Sequence, residues 1–600
     1  MDTPQLVRSA RDAIAAGLLF LWAGGATPAP PVRQGTAPAD YSAVRREGAR
    51  LIEQAMHDQG VVGLSLALVD DQSVVWTQGF GYADQAHGVP ATPATLYRVG
   101  SISKLFTATA VMQLAEQGRL RLDDPLTRHL PEFQIESSYG PIADLTLRRL
   151  LTHHSGLPAN LIKGMWGQDP VPAADLIAGL RDEAMAYPAG QVFYYSNAGL
   201  ALVGLAVERV GGESFPDWMQ RRLLAPLAMR QSAFMIAVPD SPLTARGYQG
   251  GRESADPPLR DIAAGGLVSN CLDLSRFLRM VFADGRAADG RRILKAESLA
   301  EMLRPQNRGL PLDADLRVGL AWMLSGVAIP GAGTVVHHAG ATLRYSAQLV
   351  ALPAHKLGIV VLTNSGDGGD TAARLATQVL TLALRAKTGA AVPQVAAASG
   401  DGSRLTAAGR APYLGYWTTE IGLVDIRDGG GRLRAAALGK TLTLEPRADG
   451  RLGVHYRWLG LVPVDLGEIG QVGLSLKRIG GQDALLLHQG TEDLLLGTRL
   501  SPTPIPTAWR ARTGDYALVN QGRDYPLLSA VRLREQHGVL VVEIESEGET
   551  GQVALQPLDN RQAVLAGKVA GFGERVTVQG RDGAELLRYS GYLFRKTGRR

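Results

Sequence analysis

Cysteine is almost missing from this chain: among 600 residues Cys271 is the single one, so no intrachain disulfide can form and no multi-cysteine zinc site can be assembled. An excess of one charge is missing too. Lys and Arg number 62 against 57 Asp and Glu, a net charge of +5, and the basic residues are scattered apart from a terminal RKTGRR run, which argues against nucleic acid as a partner. Long apolar runs are also lacking. The stretch Ala13 to Ala26 falls short of the ~20 apolar residues that span a bilayer, so no integral membrane span is expected. Arg8 and Arg11 precede it, the Pro-rich Thr27 to Pro31 follows it, and Gly24 with Ala26 offers small residues for cleavage. That is the grammar of a signal peptide, so an exported, periplasmic or secreted protein is expected; the alternative is the frayed start of a cytoplasmic one.

What is present suffices for a large core. With 45% hydrophobic and 20% charged residues the composition is that of a globular protein, and the length exceeds one ordinary core, so several domains are expected. After a signal segment (1–26) and a linker (27–40), a helix is predicted near Ser42 to His57. A hairpin of Val62 to Val69 and Ser73 to Gly81 follows, turned at Asp70, Asp71 and Gln72. Lys104 to Gln117 is apolar on nearly all faces and predicts a buried helix ended by Gly118. Further helices are predicted at Gly199 to Val210 and Leu272 to Ala283, then strands at Ser346 to Leu352 and Gly358 to Asn364 and a last helix at Thr371 to Ala386. Strands at both ends with helices between them imply an α/β (α+β) unit over 41–388: one antiparallel sheet flanked by helices, with an all-helical insertion. A linker (389–408) leads to an all-β, barrel-like region of two β-rich units, 409–500 and 507–600, or one barrel formed jointly. A weak repeat, Tyr413-Leu414-Gly415-Tyr416 and Thr513-Gly514-Asp515-Tyr516, opens the two halves.

Three short motifs carry chemistry. Ser101 and Lys104 stand at i and i+3 where the buried helix begins, so hydroxyl and amine can touch. Burial lowers a lysine pKa, and a lowered lysine can act as the base a serine nucleophile needs. Tyr195 and Asn197 offer a phenol to relay a proton and an amide to hold the lysine or a carbonyl; a core tyrosine beside a helix cap fits a lone Tyr-x-Asn as well. His338-Ala339-Gly340 precedes a strand, where glycine permits close backbone approach and an edge amide can donate to an oxyanion. A lone His-x-Gly is equally a turn. His153 with His154, and His337 beside His338, read as loop histidines, and the run Asn364 to Asp370 reads as a turn rather than a calcium loop. No metal and no organic cofactor is expected.

Together the three motifs resemble the serine-reactive family that joins β-lactamases, penicillin-binding proteins, D-aminopeptidases and related esterases, whose signature is Ser-x-x-Lys with Ser-Asp-Asn and Lys-Thr-Gly. RVGSISKLFTA around the serine, LLTHHSGLP, LLAPLAM, AAGGLVSNCLDLSRF and VVLTN extend the resemblance over roughly 45–390. It implies that Ser101 is acylated, that Lys104 and Tyr195 share the proton traffic, that Asn197 orients Lys104 and substrate, and that the N–H groups of Ser101 and Ala341 hold the oxyanion. Tyrosine in the second motif points to the class C β-lactamase-like branch. Histidine in place of the lysine of Lys-Thr-Gly removes a permanent cation; His338 is expected to titrate near neutral pH, which favours peptidase or esterase chemistry. Arg344, just beyond, is expected to face solvent; the alternative is that it supplies the missing charge. The expected function is thus hydrolysis of a small ester or a D-amino-acid-containing peptide through an acyl-enzyme. The rival is a catalytically weak binding or sensor protein that uses its β-rich C-terminus, which resembles appended lipocalin-like barrels in placement and strand character, to contact a partner or the cell wall. Oligomeric state has no legible signature.

Overall fold

A computed structural model describes residues 39–168, 172–389, 404–437, 440–458, 462–464, 472–489, 492–528, 530–546, 549–581 and 584–598. The predicted signal segment, nearly all of the 27–40 linker and most of the 389–408 linker lie outside these residues. Helix α1 (Ser42–Gln59) ends at Gly60, which takes the left-handed conformation. Strands β1 (Gly63–Asp70) and β2 (Ser73–Asp84) form the predicted hairpin, and β3 (Val89–Pro90) extends it. The remaining strands of the sheet come from far along the chain: β4 (Val336–Ala341), β5 (Ser346–Leu352) and β6 (Leu357–Thr363). The sheet order is β3-β2-β1-β6-β5-β4, and β1 meets β6 antiparallel with Leu64 opposite Thr363.

Both faces of this sheet are covered, which is why β1 and β6 read as unbroken apolar runs rather than an alternation. Leu64, Leu66 and Leu68 face one way, into a core with Ile52 of α1 and with Leu375, Val379 and Leu380 of the closing helix (Gly369–Thr388). Ala67 and Val69 face the other way, into the larger core built by the insertion. That insertion holds α2 (Ser103–Glu116), α3 (Asn197–Gly211) and α4 (Cys271–Phe282). Every residue of α2 from Ser103 to Leu114 is buried, as its all-round apolar sequence requires.

The β-rich region forms two barrels. Nine strands from Gly415–Thr419 to Glu492–Leu500 make the first, closed where Lys440–Pro446 pairs with Leu452–Trp458, which leaves Val462–Val464 outside the ring. A closed barrel of eight strands, Gly514–Leu518 to Tyr592–Lys596, makes the second, sealed by Tyr516 opposite Lys596. The weak sequence repeat is structural: in each barrel a short helix leads into a first strand opened by a glycine of positive φ, Gly415 at 115° and Gly514 at 149°. Neither barrel stands apart from the α/β unit. Phe193, Leu316, Val318 and Met323 enter the apolar core of the first, and residues 159–168 run along the second.

Candidate active site

The turn before α2 sets the position of Ser101. Gly100 has φ of +52°, and a Cβ there would lie 2.6 Å from the nitrogen of Ala341, so only glycine lets this turn close against β4. Gly340 is pressed in the same way on Val99, whose carbonyl oxygen a Cβ would meet at 2.0 Å. These two contacts bring the backbone of Ala341 beside the turn that carries Ser101. The Ser103 hydroxyl donates to Gly100 O at 2.6 Å and accepts from Leu267 N at 2.9 Å, locking the turn to the AAGGLV segment.

Lys104 is fully buried, and its Nζ lies 2.9 Å from Ser101 Oγ, 2.8 Å from Asn197 Oδ1 and 2.7 Å from Ala264 O. Burial pushes its amine well below the ordinary lysine value, with Asp261 opposing. Asp261 is itself held in a buried two-point pair with Arg260, at 2.6 and 3.0 Å. Two contacts are obligate acceptors, an amide oxygen and a peptide oxygen, and take two N–H groups, which leaves the third direction on Nζ for the serine oxygen.

Asn197 opens α3, and its amide is oriented from the far side: Nδ2 donates to Asn160 Oδ1 at 2.9 Å, so Oδ1 is the atom presented to Lys104. The ring of Tyr195 stacks on His153 with centroids 4.1 Å apart and passes 4.9 Å from Lys104 Nζ. Burial raises the Tyr195 phenol, while a hydrogen bond with Ser101 opposes the rise. His153 has φ of 60° and accepts at Nδ1 from Ser196 N at 3.1 Å; burial, then Lys104, keeps it neutral. Lys104 and Tyr195 therefore meet at Ser101 and Asn197 holds Lys104, while two residues without an expected role, His153 and Asn160, support Tyr195 and Asn197. His153 lies inside the quoted LLTHHSGLP run and Asn160 two residues beyond it. Ala264 acts through its backbone, which no side-chain pattern reveals.

The third motif departs from expectation. His337 and His338 lie on β4, not in a loop, and both are buried. His337 bonds Ser325 O at 2.8 Å, and His338 bonds Ala339 O at 2.5 Å through Nδ1. Burial, aided by Lys104, pushes His338 down to about 3 and burial pushes His337 down to about 4. His338 is thus neutral at physiological pH rather than half-titrated. Arg344 does not face solvent: it is 2% exposed, and its guanidinium lies over the Tyr525 ring of the second barrel and donates to that tyrosine's hydroxyl. A second barrel covering this edge was invisible to the sequence reading. His154 is a structural loop residue, paired with Asp313 at 2.8 Å. Among the described residues no cluster of three or more His, Cys, Asp or Glu could hold a metal ion, and no helix is long and apolar enough to cross a membrane.

Residues 49–384 match the family described as Beta-lactamase. The chain is similar to Protein flp of Staphylococcus aureus (strain COL), 25% identical over 324 residues that cover 52% of this chain and 62% of that protein; it thus spans about three fifths of that relative's length. It is similar to Penicillin-binding protein 4 of Amycolatopsis lactamdurans, 30% identical over 302 residues, 48% of this chain and 76% of that protein. Of solved structures, the crystal structure of SurE with D-Leu superposes with a TM-score of 0.53 at 25% identity, covering 76% of this chain and 99% of that one. The octameric penicillin-binding protein homologue from Pyrococcus abyssi superposes with a TM-score of 0.51 at 24% identity, over 75% of this chain and 99% of that one, a likeness of fold alone.

Proposed function

The chain belongs to the beta-lactamase family, and from that premise we propose that it is a serine hydrolase that forms an acyl-enzyme at Ser101. The observation that carries the reading is the 2.9 Å contact between Ser101 Oγ and a fully buried Lys104 Nζ whose other two partners are acceptors. Lys104, as free amine, takes the Ser101 proton while Oγ attacks the substrate carbonyl carbon. The N–H groups of Ser101 and Ala341 stabilise the oxyanion, a contribution of roughly 3 kcal/mol per donor in comparable sites. The Tyr195 hydroxyl passes the proton to the leaving oxygen or nitrogen as the carbonyl re-forms. Water, deprotonated by the same pair, then attacks the acyl carbon, and Ser101 recovers its proton as the acid leaves.

The neutral His338 offers no charge to the carboxylate of a β-lactam, which favours an ester or amide substrate over an antibiotic. The D-Leu in the SurE crystal structure supports a D-amino-acid-containing peptide or ester. Export, read from the Ala13 to Ala26 segment, belongs to the same proposal, and the N-terminal sequence of the mature protein checks it. A fluorophosphonate probe should add its mass to the peptide containing Ser101, and Ser101→Ala should abolish labelling; labelling of another serine, or none in folded protein, would sink the reading. Turnover of nitrophenyl esters, D-aminoacyl anilides and a chromogenic cephalosporin, lost in Ser101→Ala, separates an enzyme from a catalytically weak binding protein.

A further inference from the structure

We infer that the second barrel is a working part of the acylation site, with Glu574 as a positioning residue for Asn197 and Tyr195; the inference rests on Ser101 being the nucleophile. Glu574 stands at the start of the strand Gly573–Arg581 and is 8% exposed. The strand is fastened to the α/β unit at its first residue, where Gly573 N donates to Ala186 O at 3.0 Å. The Glu574 carboxylate points at the segment beneath. Its Oε1 accepts from Ala159 N at 2.7 Å and from the Tyr194 hydroxyl at 2.9 Å, and its Oε2 from the Tyr589 hydroxyl at 2.6 Å.

Two of these donors lead directly to the site. Ala159 is held at its N–H by Glu574, and its carbonyl, in the following peptide, accepts from Asn197 N at 2.8 Å and Ala198 N at 3.2 Å. Those are orphan donors at the N-terminus of α3. The peptide that Glu574 grips also carries Pro158 O, which accepts from Ser196 Oγ at 2.7 Å, so both peptides flanking Ala159 meet the start of the helix presenting Asn197 to Lys104. The next residue, Asn160, orients the Asn197 amide, and its own carbonyl accepts from Ser590 Oγ at 3.1 Å, again from the second barrel. Ser590 Oγ also accepts from Ile162 N at 2.8 Å. The other donor, Tyr194, adjoins Tyr195, and the two rings point apart: one to Glu574, the other to Ser101. A single carboxylate therefore steadies both the amide and the phenol that surround the nucleophile. Carboxylate bonds to neutral donors are charge-assisted and directional, and small displacements of catalytic groups carry large rate penalties.

The test is the rate constant for fluorophosphonate labelling of Ser101 in the full-length chain, with the labelled fraction measured alongside. Glu574→Gln keeps one acceptor oxygen and should slow labelling roughly tenfold, and Glu574→Ala roughly a hundredfold, each with near-complete final labelling. Tyr194→Phe removes one donor and should slow it by a smaller factor. Glu136→Gln severs a different link to the second barrel, the pair with Arg575, and should leave the rate unchanged. Should Glu574→Ala fail to fold, Glu574→Gln and Tyr194→Phe still decide the matter. Unchanged rates in the Glu574 variants overturn the inference. So does a reduced labelled fraction at an unchanged rate, which marks a purely structural role, or an equal loss in Glu136→Gln. Wild-type protein labelled at another serine overturns the reading of Ser101 and the inference with it, a result distinct from all of these.

Discussion

The two barrels hold the same α/β unit by different means. The first takes in apolar side chains, with Phe193, Leu316, Val318 and Met323 sharing a core with Trp417, Val424 and Leu485. The second, besides an apolar patch where Phe572 meets Tyr139 and Tyr187, reaches out with polar groups: Glu574 and Ser590 to residues 159–162, Asp524 to Gly164 N at 3.0 Å, and Arg588 to Glu183 at 2.8 Å. The contrast is compressed into three consecutive residues, since Phe193 enters the first barrel, Tyr194 bonds the second and Tyr195 faces Ser101. Apolar burial is strong but non-directional, whereas hydrogen bonds weaken steeply with angle. The first barrel is suited to supplying stability and the second to supplying position.

The largest effect should come from emptying the first contact. Leu316→Ala empties a side chain that is 5% exposed and should destabilise the protein by about 2 to 5 kcal/mol, read as a lower urea midpoint, while molecules that stay folded acylate at the normal rate. A slowed rate in fully folded Leu316→Ala would break the division of labour. The next effect belongs to the second barrel and depends on pH. Burial pushes Glu183 up to about 7 from an ordinary 4.5, against the pull of Arg588. The folded protein therefore binds a proton that the unfolded chain releases between these values. Stability from this group is intact at low pH and is lost as pH rises from about 4.5 to about 7. Denaturation of Glu183→Gln beside wild type should show the variant gaining, relatively, up to about 3 kcal/mol across that window; a constant difference would contradict the burial of this carboxylate under the barrel. The smallest effect lies at the rim. Glu136 is 62% exposed in its pair with Arg575, so Glu136→Gln or added salt should change the unfolding free energy by less than about 1 kcal/mol.

Much of the α/β unit was legible because its signals are local. The strands buried on both faces read as continuous apolar runs, α2 reads as apolar all round, and Ser101 and Lys104 are one helical turn apart. The protonation of His338 and the surroundings of Arg344 were misread because both depend on what distant chain lays over them: β4 is sealed against the Ser101 turn, and Tyr525 covers the arginine. The number of barrels stayed open because short alternating strands close in either way. The pairing of Lys440–Pro446 with Leu452–Trp458 decides it, and register across a turn leaves little trace in composition. Glu574 was hidden for a plainer reason: a glutamate among alternating strand residues looks like solvent-facing surface.

The pairing of β1 with β6, Leu64 opposite Thr363, also sets an order in time. The centre of the sheet joins segments made early and late in synthesis, and such non-local contacts close slowly. The Ser101 turn leans on Ala341, which cannot take its place until β4 has been added beyond β5 and β6. A growing chain thus carries Ser101 and Lys104 long before it carries the Ala341 backbone that closes the turn around them.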